Sequence, residues 1–203
     1  MVRSELRNED ERLMKVVNDW LDKNVYSKPC FSKVYRNEDA GTQVLGIDTT
    51  FELNGERHWC DEKAAVRYIG KNLLTFSFEL SFIDRSGSVR DGWLLSKDNI
   101  NDTYLLVWID KAESEHPKDY TELKQVEWAL VKKESILNYL FWKGFNVEGL
   151  KTKNDAIRSG VDKRMHDIRA DGYKFSYSTK LVEKPINVII PRYELMRMSL
   201  IHG

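Results

Sequence analysis

Asp48, Asp61 and Lys63 are spaced so that a β-hairpin would bring all three to one face. Between the aspartates lies Asn54-Gly55, the pair a type I′ turn asks for because both central positions need positive φ, and β-branched or alternating residues flank it. A two-residue loop sets Leu53 opposite Glu56 and Thr50 opposite Trp59, which predicts Asp48 opposite Asp61 and Gly46 opposite Lys63. Leu45, Ile47, Phe51, Cys60 and Ala64 then point to the other, core-forming face. Directly opposed residues have Cβ atoms about 4.5–5.5 Å apart, and two carboxylates there repel unless a cation lies between them. Magnesium suits such a gap, since it takes oxygen ligands at about 2.0–2.1 Å, commonly one or two carboxylates plus water and phosphate. Lys63, about 6–7 Å along the strand from Asp61, could reach a phosphate or an attacking water.

An aspartate about a dozen residues ahead of a D-x-K, with both on hairpin strands, resembles the PD-(D/E)XK nuclease superfamily and its restriction-endonuclease-like fold. Gly46-Ile47-Asp48 stands for the first motif, with Ile47 in place of the usual proline, and Asp61-Glu62-Lys63 for the second. The resemblance implies a metal-dependent DNA endonuclease. Asp48, Asp61 and the main-chain carbonyl of Glu62 would ligate Mg2+, for which Mn2+ can substitute, and Lys63 would orient or activate the water. A glutamate of the first helix, Glu9 or Glu11, can join such a site. The register sends the Glu62 side chain toward the core face.

The elements that must position these residues are read in chain order. An amphipathic helix capped by Ser4 is expected to run to about Lys23, with Leu6, Leu13, Val17, Trp20 and Leu21 in one stripe. Phe31–Tyr35 reads as a first strand, followed by a polar turn over 36–41 and then the hairpin. Val66–Lys71 reads as a connection with a turn of helix, and Leu74–Ile83, alternating Phe76, Phe78, Leu80 and Phe82 with polar residues, as a half-buried strand. Glu79 lies on its polar face. Gly92–Leu95, Thr103–Ile109, Gln125–Val131 and Asn187–Ile190 are further expected strands. Glu134–Trp142 and Arg192–Leu200 are expected helices, the first stopped by Gly144. The fold class is therefore α/β of the α+β kind, an N-terminal helix followed by a mixed central sheet with flanking helices. One domain is expected over 1–203, with the motif core in 1–110 and the rest of the sheet in 111–203. Residues 143–184 hold ten lysines and arginines against six acids, and Tyr173, Phe175 and Tyr177 alternate there, which suggests a DNA-facing lobe.

A chain of 203 residues with 41% hydrophobic content can bury one sizeable core. No apolar run approaches the roughly 18 residues of a membrane span, and MVRSELRNEDERL is too charged for a signal peptide, so a cytoplasmic protein with no membrane partner is expected. Two cysteines exclude a disulfide framework, and no C-x-x-C or H-x-x-x-H accompanies His58 and Cys60 to complete a zinc set. Net charge is zero, yet residues 1–120 carry 17 basic and 22 acidic side chains while 121–203 carry 15 and 10, an acidic part and a basic part compatible with a nuclease. The expected partner is DNA, RNA not being excluded, and cutting both strands of a duplex would favour a homodimer. The alternative reading is an inactive nucleic-acid-binding or protein-interaction module on the same fold. No G-x-S-x-G, P-loop or Rossmann glycine pattern points elsewhere.

Overall fold

The computed structural model describes residues 3–37, 39, 45–162 and 165–203, the first five by backbone alone. The side chains of Ser4 and Leu6, and all of Glu38, Ala40 and Gly41 of the expected polar turn, lie outside what is described, and the Ser4 backbone is already helical. Helix α1 (Arg3–Asn24) leads into strands β1 (Phe31–Arg36), β2 (Thr49–Leu53) and β3 (Glu56–Ala64), and a 3₁₀ turn at Val66–Tyr68 follows. Then come β4 (Thr75–Ile83), β5 (Val89–Asp91), β6 (Thr103–Ala112) and β7 (Leu123–Lys132). Helices α2 (Lys133–Trp142), α3 (Val147–Arg158) and α4 (Ile168–Asp171) precede β8 (Lys174–Tyr177), β9 (Ile186–Pro191), α5 (Arg192–Met198) and β10 (Ile201–His202). No helix among the described residues is long and apolar enough to cross a membrane.

The strands form two sheets, so the chain is mixed α/β as expected. The larger has the order β1-β2-β3-β6-β7-β10, with β3 and β6 parallel and its other neighbours antiparallel. The smaller, β5-β4-β9-β8, is antiparallel throughout. Strand β6 is buried on both faces, which explains its unbroken apolar run. Leu105, Val107 and Ile109 meet Leu13, Val17 and Leu21 of α1 in one core. Tyr104, Leu106 and Trp108 meet Phe76, Phe78, Val188 and Ile190 of the smaller sheet, with Ile136, Leu140 and Leu150 of α2 and α3, in the other. Helices were expected to flank the central sheet. One face carries α1, and the opposite face packs against the second sheet together with α2 and α3.

Local rules explain most elements. Asn54 and Gly55 have φ of 51° and 89°, the I′ turn, and the pairing from Leu53↔Glu56 to Thr49↔Cys60 keeps the expected register. Gly144 stops α2 at φ 96°. Gly92–Leu95 is a turn rather than a strand, closed by the Leu95 and Ser96 amides donating to the Gly92 carbonyl. A Cβ at Gly92 would stand 2.4 Å from the Glu79 carbonyl oxygen, so only glycine lets this turn press against β4. In β4 the alternation breaks at a register shift between Glu79 and Ser81, which buries Ser81 and leaves Phe82 half-buried. Tyr173 and Phe175 point into the core, so these two rings do not make the base-stacking face expected of residues 143–184.

Candidate functional site

Strand β2 begins at Thr49, opposite Cys60, so β3 beyond that point has β6 on one side and, among the described residues, no ladder partner on the other. The Ala65 amide donates to the Val107 carbonyl, which directs the main-chain groups of odd-numbered residues here toward β6. Those of Glu62 point the opposite way, to the open edge. There the Asp48 carboxylate stands in for the missing strand, Oδ2 accepting from the Glu62 amide at 2.8 Å. Asp48 is therefore not the regular ladder partner of Asp61 that the extended register predicts. Its amide donates to the Cys60 carbonyl, which Thr49 already faces, and Gly46, at φ 71° in a turn, does not pair with Lys63. A Cβ at Gly46 would also lie 3.1 Å from Asn99.

The two carboxylates nevertheless converge. Asp61 is 2% exposed, and its pKa is pushed up from 3.8 to about 7, first by burial and then by Asp48, against the lowering effect of Lys63. Lys63 Nζ donates to Asp61 Oδ1 at 2.5 Å, while Asp61 Oδ2 is buried with no hydrogen-bond partner. Burial acts to lower the Lys63 pKa, but Asp61 and then Asp48 outweigh it and hold the ammonium more firmly charged than usual. The face bearing Asp61 and Lys63 is not open to solvent across its width. Trp93 packs over Lys63 with Nζ 5.6 Å from the ring centre, Tyr104 pairs with Asp61 along β6, and the side chain of Lys63 keeps 33% exposure.

Glu62 faces α1, as the register requires. Its carboxylate is buried and receives Tyr26 Oη at 2.6 Å, Thr49 Oγ1 at 2.7 Å and Arg36 Nη1 at 2.8 Å. Arg36 also holds Asp22 and the Asn18 carbonyl of α1, so this network pins helix, β1 and β3 together behind the site. Of the helix glutamates, Glu11 lines the cleft of about 720 Å³ that holds Asp48, Lys63 and Tyr68. Glu9 turns away to Arg12 and His116, and the Arg12 bond holds its carboxyl at about 2. His58 Nδ1 lies 2.7 Å from the Asp102 carboxylate, and burial raises the pKa of the Cys60 thiol.

Lys133 and Trp93 belong to the surroundings of Asp61 and Lys63 but were not legible as such. Burial lowers the Lys133 pKa, Asp61 opposes that, and its Nζ donates to the Asn99 carbonyl at 3.0 Å. Glu79, on the polar face of β4, feels the charge of Lys63, and burial raises it to about 7.

Among the described residues no three carboxylate, imidazole or thiol side chains form a metal cage. The donors at the open edge, two carboxylates and the Glu62 carbonyl, are hard oxygens. They suit Mg2+, which fills its remaining positions with water and substrate phosphate. Asp61 Oδ2, buried without a donor on a carboxyl whose pKa the neighbouring Asp48 helps to raise, is the atom such a cation would satisfy. No family model, curated protein or solved structure matches this chain.

Proposed function

We propose that the chain is a metal-dependent nuclease of the PD-(D/E)XK type, hydrolysing phosphodiester bonds in DNA. The observation that carries this reading is the donorless, buried Oδ2 of Asp61, a carboxyl that feels the charge of Asp48 and has Lys63 on its other oxygen. Asp48, Asp61 and the Glu62 carbonyl would hold Mg2+ or Mn2+. Bound there, the ion supplies Lewis-acid stabilisation of phosphoryl charge and lowers the pKa of a coordinated water.

The chain's own groups do the positioning. Lys63 lines the cleft with its ammonium held charged, which suits it to donate to a phosphate oxygen and to orient the attacking water. Asp48 orders the edge by accepting the Glu62 amide through one oxygen. Trp93 and Tyr104 close the rear of the site and keep Asp61 in a medium where its charge interacts strongly. Burial pushes the Asp61 pKa up to about 7, so a cation bound there would compete with its proton.

Hydrolysis itself tests the reading. Supercoiled plasmid and labelled single-stranded DNA, incubated with magnesium, manganese or EDTA, should be cut with either metal and left whole in EDTA. The rate with limiting magnesium should rise from pH 6 to pH 8 as Asp61 gives up its proton. Intact substrates under every metal condition would sink the nuclease reading.

A further inference from the structure

Asp48 is held at the open edge of β3 from two sides. On the side of β2, its amide donates to the Cys60 carbonyl and its carbonyl accepts from the Asn37 amide. On the other side, the chain arrives through the turn at Leu45 and Gly46, and that turn rests on the segment ahead of β6. The Ile100 amide donates to the Leu45 carbonyl at 3.0 Å. A Cβ at Gly46 would lie 3.1 Å from both Cγ and Nδ2 of Asn99, so the Asn99 carboxamide occupies the side of Gly46 where another residue would carry its side chain. The same carboxamide donates through Nδ2 to the Trp93 carbonyl at 3.3 Å, which Tyr104 Oη also reaches at 3.1 Å. Trp93 is the ring that covers Lys63. Lys133 braces the arrangement, its Nζ donating to the Asn99 carbonyl at 3.0 Å and its amide to the Asp102 carbonyl at 2.8 Å. One half-buried, uncharged side chain therefore touches both the turn that leads to Asp48 and the turn that covers Lys63.

Resting on the nuclease reading for its part in metal binding, we propose that Asn99 is a positioning residue. It holds the Asp48 turn against the Trp93 turn, and so keeps the Asp48 carboxylate on the Glu62 amide and in place for the ion. Removing a partner that orients a metal ligand commonly costs about 10- to 100-fold in metal affinity. Glycine at position 46 is what admits the carboxamide so closely, since a side chain there would press on Asn99 and strain a φ of 71° as well.

Amide hydrogen exchange in EDTA tests this with neither metal nor substrate present. The Glu62 amide donates to Asp48 Oδ2, whereas the Lys63 amide points into the ladder with β6. Asn99→Ala should speed exchange at Glu62 about tenfold, the scale of one or two lost contacts, and leave Lys63 at the parent rate. Gly46→Ala should speed Glu62 as well. In the double variant the combined effect should fall short of the product of the two by at least about threefold, because Asn99→Ala leaves nothing beyond a Cβ 3.4 Å from the added methyl. Mn2+ affinity, read from the paramagnetic resonance of the free ion, should fall about tenfold in Asn99→Ala. A general loosening of the fold would instead speed Glu62 and Lys63 alike and lower the melting temperature with Mn2+ affinity unchanged. That pattern, a parent rate at Glu62 in Asn99→Ala, an unchanged Mn2+ affinity, or independent effects of the two substitutions would overturn the proposal. The nuclease reading fails separately, through a parent that neither takes up Mn2+ nor cuts DNA while its Glu62 amide still answers to Asn99.

Discussion

Asp61→Asn is expected to abolish hydrolysis, by at least about 10³-fold, the several kcal/mol that a Lewis-acid ion contributes, while stabilising the metal-free protein at pH 8. Asp61 has a folded pKa of about 7 against an ordinary 3.8, so its protonated form is the one the fold prefers. Its contribution is fully present below about pH 4 and is lost as pH rises through about 7. The difference amounts to at most about 4 kcal/mol, at about 1.4 kcal/mol for each unit of pKa. Asparagine keeps the shape and carries no charge, so urea unfolding in EDTA should show the variant gaining on the parent between pH 5 and pH 8. Some pH dependence will remain, because burial raises Glu79 to about 7 as well. A variant less stable than the parent at pH 8 would mean that the buried carboxylate is not a liability there.

Lys63→Ala should lose at least about 10²-fold in cleavage, the usual contribution of a positioned proton-handling group, and this loss should persist at every pH. Its effect on metal binding should depend on pH. Lys63 holds Asp61 Oδ1 at 2.5 Å and lowers the Asp61 pKa, so without it the carboxyl titrates above 7. Metal must then displace a more tightly held proton, and affinity measured by calorimetry should fall about tenfold at pH 7 and return to the parent value near pH 9. Cleavage that recovers together with the affinity would assign Lys63 to charge balance alone. Unchanged affinity at pH 7 would show that the ion pair has no hold on Asp61.

The parts of this site written in short-range pattern were legible. Asn54-Gly55 requires positive φ at two successive positions, and together with the alternation on both strands this determines the pairing as far as Thr49↔Cys60. The extrapolation stopped being valid one residue later. Gly46 turns the chain away, and Asp48, whose amide still reaches the Cys60 carbonyl, meets the Glu62 amide with its side chain instead of its backbone. Glu62 had no account in the sequence because its three partners, Tyr26, Arg36 and Thr49, come from other segments. Trp93 sits in a turn whose apolar run imitates a strand, and only the contact of Gly92 with β4 distinguishes the two. Lys133 begins a helix far along the chain and reaches the surroundings of Asp61 through the β6–β7 pairing. Helix α3 is amphipathic and capped by Asn146, but the many charged residues of 143–184 mask its periodicity in the sequence. Strand β10 is two residues long, too short for any alternation.

The central claim is that Asp48 and Asp61 hold a divalent ion at the open edge of β3. Manganese binding read directly from the paramagnetic resonance of the free ion tests it without reference to any substrate. At pH 8 the parent should take up about one Mn2+ per chain, displaceable by Mg2+, and Asp61→Asn should take up none in the same concentration range. Equal uptake by the two proteins, or none by the parent, would contradict the account.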